Sequence, residues 1–205
     1  MTAQLQRIKT KLEALRLKDP LCGLFGASEH QYMLNAVMTE QSLGEFELEH
    51  HIKLPEGYRD FLKYMGNGGA GPYYGLEPLG NGLFMDLDYK DRSGKINPSL
   101  EFGFTDAWNL PISKYEDTIT DEEYELLIQK REQEYFDPKW TNGLLRICNF
   151  GCGVSINLVV NGPEYGHIWV DDRCNDGGVY PDHYFGNKER LGFLDWYELW
   201  LDSVE

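Results

Sequence analysis

A chain of 205 residues with 41% hydrophobic and 14% aromatic content is long and apolar enough for one packed domain, which argues against a disordered chain. The net charge of −15, from 19 basic and 34 acidic residues, argues against binding nucleic acid or anionic membrane through a basic surface. No apolar run reaches the length of a membrane span and MTAQLQRIKTKLEALRLKD has no apolar signal core, so a cytoplasmic protein with reduced thiols is expected.

Leu5, Ile8, Leu12 and Leu15 recur at helical spacing with basic residues between them, and predict an N-terminal helix within residues 1–19 that Asp19-Pro20 ends. Residues 25–37 read as an irregular connection holding His30. No serine or cysteine stands near that histidine in a recognisable catalytic arrangement, so a hydrogen bond to backbone is its expected role. Thr39 can cap the next helix, whose inner face is Leu43, Phe46 and His50. Leu54-Pro55 opens another, with Tyr58, Phe61, Leu62 and Met65 on one face. Gly66 is expected to end it in a left-handed conformation.

Asn67-Gly68-Gly69-Ala70-Gly71-Pro72 follows as a glycine elbow, and Tyr73-Tyr74-Gly75-Leu76 is expected to enter a strand. Glycine turns can cradle phosphate, but a Walker loop needs a strand before the glycines and Lys-Ser/Thr after them. Here a helix precedes and no lysine follows, so a tight structural turn is the better reading. Residues 79–87 predict a strand with Asn81-Gly82 as a turn. Asp86, Asp88, Asp91 and Gly94 have the look of a calcium loop, yet Asn97 stands where its last glutamate belongs. Residues 88–105 read as loop.

Residues 116–137 hold nine acids against two basic residues. Tyr124, Leu127 and Ile128 give only a narrow apolar stripe, so an exposed acidic helix is predicted, with Thr120 as cap and Glu123 closing a capping box. Its Glu122, Glu123 and Glu125 are either a solvated face or a docking surface for a basic partner. Residues 144–149 and 154–160 read as strands, and 167–170 returns as the partner of the second in an antiparallel hairpin. Asp171 and Asp172 follow it. Neighbours on a strand point to opposite faces, so the two are no preformed acid–base dyad; partner contact or backbone hydrogen bonding remains. Residues 193–201 predict a C-terminal helix docked into the core. Tyr73 and Tyr74 offer either core volume or large contact area with a polar tip.

Cys148 and Cys152 are near His167, Cys174 and His183 in sequence, but paired CxxC spacing is absent. Buried structural cysteines are expected, with no metal and no cofactor. Neither a nucleophile elbow nor HExxH is present, so a hydrolase using His30 or His167 with the Asp171 region has no support in spacing, and a non-enzymatic protein is expected. The expected fold class is α+β, with a mainly antiparallel sheet flanked by several helices in one domain over residues 1–205.

The stretch LPEGYRDFLKYMGNGGAGPYYGLEPL, residues 54–79, resembles the signature of the SUKH superfamily, which joins bacterial toxin-immunity proteins with an SMI/KNR-like fungal regulator of cell-wall assembly. The likeness extends upstream to Phe25-Gly26-Ala27, His30, Tyr32, Leu34 and the helix pattern of 39–52. Downstream it covers Asn149-Phe150-Gly151-Cys152-Gly153, Val160-Asn161-Gly162-Pro163-Glu164, Gly166, Trp169-Val170-Asp171, Phe193-Leu194-Asp195-Trp196-Tyr197 and Trp200-Leu201. It departs most in residues 116–137, part of a variable loop and acidic-helix insert over residues 88–140. The resemblance implies the same α+β fold. It also implies an immunity protein that neutralises a cognate toxin, often a nuclease with a basic face, by direct binding. A regulatory scaffold like the fungal relatives is the alternative. The candidate contact residues are Tyr73, Tyr74, Glu122, Glu123, Glu125, Asp171 and Asp172.

Overall fold

The computed structural model describes residues 1–85, 87, 95–111 and 120–204. Among these, six α-helices and four strands follow the order α1 (Ala3–Lys18), α2 (Ala27–His30), α3 (Glu40–Glu49), α4 (Glu56–Tyr64), α5 (Asp121–Tyr135), β1 (Leu144–Gly151), β2 (Val154–Val159), β3 (Ile168–Asp172), β4 (Gly178–Pro181) and α6 (Phe193–Ser203). The fold class is α+β. No described helix is long and apolar enough to cross a membrane.

Local chemistry sets the helix limits. The Thr2, Thr39 and Thr120 hydroxyls accept hydrogen bonds from the amides of Leu5, Ser42 and Glu123, satisfying donors that the first turn leaves open. At Thr120 the Glu123 carboxylate returns a bond to the cap amide, completing the capping box. α1 buries Leu5, Ile8, Leu12 and Leu15, the stripe its spacing predicts, and lies along α6. Gln4, Arg7 and Lys11 reach Asp195, Glu198 and Asp202 across that contact.

The strands form one antiparallel meander in the order β1-β2-β3-β4. Its register sorts side chains onto two faces, because directly paired residues share a face. Leu145, Leu158 and Ile168 line up on one, with Cys148, Ile156, Val170 and Tyr180 beside them; this face packs into the main core with α1, α4 and α6. Leu144 with Val159, Trp169 and Val179 lie on the other, where Phe102, Phe104 and Trp108 cover them. That second face also holds Arg146 paired with Asn157, and Ser155 paired with Asp171. Two irregularities in β1 leave Ile147 and Phe150 outside the ladder, and such bulges re-aim side chains at strand ends.

The structure departs from the sequence expectations at identifiable points. Residues 79–83 are a 3₁₀ helix rather than a strand, with Leu79, Gly82 and Leu83 buried at helical spacing. Tyr73–Leu76 makes no strand, because Tyr73 (φ 54) and Gly75 (φ 90) turn the chain. Leu76 keeps single bridges to Gly69 and Cys148. The connection of residues 25–37 contains α2. Gly66 is not left-handed; it is small because a Cβ there would stand 2.7 Å from the Asn35 carbonyl oxygen. β4 had no counterpart in the sequence reading. Cys148 is buried as expected, whereas Cys152 and Cys174 are exposed. The calcium-like spacing over Asp86, Asp88, Asp91 and Gly94, and the start of the acidic run, lie outside the described residues.

Candidate protein-binding surface

The glycine elbow joins α4 to the sheet. Gly69 and Leu76 exchange backbone hydrogen bonds of 2.8 and 2.7 Å, the Ala70 amide donates to Met33, and the Glu77 amide donates to Ile147 of β1. The Asn67, Gly69 and Ala70 amides thus go to carbonyls rather than to a shared N–H nest of the kind that holds phosphate. Gly69 (φ 99) is required here, since a Cβ would meet the Met33 oxygen at 2.4 Å. Gly26 plays the same part for the neighbouring loop: a Cβ on it would overlap the Tyr73 carbonyl. That close approach brings Phe25 against Tyr74, ring centroids 5.2 Å apart.

Around this contact stands an aromatic cluster drawn from four separate segments. The Tyr73 ring lies 4.1 Å from Phe150, the residue freed by the second β1 bulge, and 5.6 Å from Phe185 in a stacked arrangement. Tyr184 touches Tyr73 and Phe150. Tyr73 (φ 54), Phe185 (φ 56) and the nearby Tyr32 (φ 57) all hold left-handed backbone. Bulky residues seldom adopt it, and its recurrence in one place marks a position that packing enforces and that function often uses. Phe25 is 65% exposed and Tyr74 41%, so the two rings form a ridge on an otherwise half-buried cluster.

Of the residues singled out in the sequence, the structure gathers three here. Tyr73 is half-buried and Tyr74 exposed. Asp172 joins them through a hydroxyl chain: the Tyr180 hydroxyl donates to its Oδ2 at 3.4 Å and lies 3.2 Å from the Tyr184 hydroxyl. Asp171 does not belong to this surface, because it is only 5% exposed. Its two oxygens take a bidentate pair from Arg173 at 2.7 and 2.8 Å and a bond from Arg146 at 3.0 Å. Arg173 also donates to the Tyr135 carbonyl at 2.8 Å, which fastens the C-terminus of α5 to the sheet. This buried polar cluster was missed in the sequence. Its only signal is an arginine amid the apolar residues of β1.

Glu122 and Glu125 are exposed on the N-terminal half of α5, and Glu123 is engaged in the capping box. Leu126 and Leu127 are exposed beside them, and only Tyr135 of this helix is buried. His30 has a structural place: its Nδ1 accepts from the Tyr32 amide at 3.0 Å, and burial pushes its pKa down, so the ring is held neutral. His167 sits 3.2 Å from Glu164, which Arg190 also pairs with at 2.9 Å. Among the described residues no three of His, Cys, Asp and Glu come together as metal ligands would.

No curated protein and no solved structure matches the chain. Residues 38–191 match the model of the SMI1 / KNR4 family (SUKH-1). The match takes in the elbow, the bulged strand and the cluster residues Tyr73, Tyr74, Phe150, Tyr184 and Phe185, but not Phe25, and spans well over half of the sequence. The chain belongs to the SMI1 / KNR4 family (SUKH-1).

Proposed function

We propose that this protein is an immunity-type inhibitor, one that neutralises a basic protein toxin by binding and covering it, without a catalytic step. The observation that carries the reading is the Phe25–Tyr74 ridge, two large rings held out to solvent on backbone that packing fixes in place. Rigid exposed aromatics lose little entropy on binding and are enriched where protein interfaces concentrate their energy. The net charge of −15 supports a basic partner. The family includes toxin-immunity proteins, which supports a toxin as that partner. A nuclease, whose substrate face is basic, suits the charge best.

The test is co-expression with the protein encoded immediately upstream, scored for growth and for co-purification. Rescue with a stable complex is expected, and Tyr74→Ala should weaken that complex by at least about tenfold. A toxic neighbour that is neither bound nor neutralised would replace this reading with that of a regulatory scaffold. Covalent change of the toxin by the purified protein would replace it with an enzyme.

A further inference from the structure

The Phe25–Tyr74 ridge separates two concavities of opposite character. On the Phe25 side is an apolar cavity of about 190 Å³, lined by Leu24, Phe25, Ala27, Tyr73, Phe185 and Trp200. A dry apolar cavity of about 150 Å³ already holds a benzene ring, so this one has room for a single aromatic or large aliphatic side chain. On the Tyr74 side is a wider cleft of about 580 Å³, lined by Glu29, Asn35, Tyr74, Glu77, Asn149 and Cys152 among others. Among the described residues no lysine or arginine lines it. His30 borders both concavities; burial lowers its pKa, and its Nδ1 accepts from the Tyr32 amide.

Each half by itself is ordinary. Together they describe a complementary shape. An apolar side chain entering the cavity would leave water at the centre of the contact, where burial counts most. A cation a few ångströms away would meet Glu29 and Glu77 in the cleft and could lie against the Tyr74 ring. The backbone bonds that fix the elbow keep both halves in place before anything binds.

We propose that this pair of concavities is the docking site for the basic partner inferred above, the cavity taking one aromatic or large aliphatic side chain and the cleft an adjacent lysine or arginine. The partner is thus read through an apolar residue beside a basic one. The inference rests on the binding-protein reading for its partner class, but not for its geometry.

The probe is a phage-displayed random peptide library panned on the full chain, with two variants as controls. Leu24→Trp fills the cavity from a side chain already 37% exposed, and Glu29→Lys reverses the cleft from an exposed position. Thermal melts of both variants should match the parent, which establishes that each is folded. Enriched peptides are expected to pair an apolar residue with a neighbouring lysine or arginine, and to lose at least about tenfold in affinity for either variant. Absence of enrichment, enrichment without that pair, or binding indifferent to both variants would overturn the proposal. The same variants separate it from the toxin reading. If both still neutralise the neighbouring toxin at parental strength, the docking site is wrong and the immunity role stands. If peptides bind as described and no neighbour is neutralised, the docking site stands and the immunity role falls.

Discussion

Burial alone would push the Asp171 carboxyl up, but the Arg173 hydrogen bonds and the charges of Arg146 and Arg173 outweigh it and hold the group at about 2. Its folded pKa lies below the unfolded value of about 3.9, so its contribution is complete above pH 4 or so and is lost as pH falls toward about 2. Asp182 behaves in the opposite way. Burial raises it to about 6 against hydrogen bonds from Asn187 and the Tyr184 amide, and its Oδ1 has no hydrogen-bond partner among the described residues. The folded state therefore holds that proton more tightly than the unfolded chain, and stability declines as pH rises from about 4 to about 6. Taken together, these two groups stabilise the folded state most near about pH 4. Asp182→Asn should raise the melting temperature at pH 7.5 and flatten the profile between pH 4 and 6, as read by calorimetry; an unchanged profile would remove Asp182 as its source. Asp171→Ala should cost about 3–5 kcal/mol in urea unfolding at pH 7, because two buried guanidiniums lose their counter-ion.

At the scale of elements, the pairing of α1 with α6 has a consequence that the family match does not show. The matched residues, 38–191, stop short of both helices, yet the two pack against each other, and α6 also sets Phe193 and Tyr197 against Tyr58 and Phe61 of α4. Ile8 is fully buried in that contact, and Ile8→Ala should destabilise the whole chain by about 2–4 kcal/mol. A loss under about 1 kcal/mol, or unfolding in two separate transitions, would make α1 an appendage instead. The stripe on α1, the Thr39 and Thr120 caps and the β2–β3 hairpin were legible in the sequence, because each depends on spacing within a few residues. The 3₁₀ segment at residues 79–83 was also written locally, in Leu79, Gly82 and Leu83, but Asn81-Gly82 drew the reading toward a hairpin turn. The aromatic cluster was half legible: Tyr73 and Tyr74 stood out, while Phe25, Phe150, Tyr184 and Phe185 join them only through the fold. Asp171 was misjudged as surface because the arginine that buries it on β1 is 25 residues away.

Over the whole molecule, charge and shape separate two stages of binding. A net charge of −15 attracts a basic partner from beyond contact distance, and α5 presents Glu122 and Glu125 into solvent on a helix seated mainly through its C-terminal half. Long-range attraction acts on the association rate and fades once the Debye length, about 3 Å at 1 M salt, is shorter than the approach. The double variant Glu122→Lys/Glu125→Lys should therefore slow association with the co-expressed toxin several-fold at low salt, converge with the parent near 1 M salt, and leave dissociation unchanged. Glu123 is left out of the variant because its capping box would be lost with it. Tyr74→Ala should do the reverse, speeding dissociation at every salt concentration while sparing association. If the α5 variant instead speeds dissociation at high salt, the acidic helix is itself part of the contact, and the partner must span from the elbow to the insert on the opposite face of the sheet.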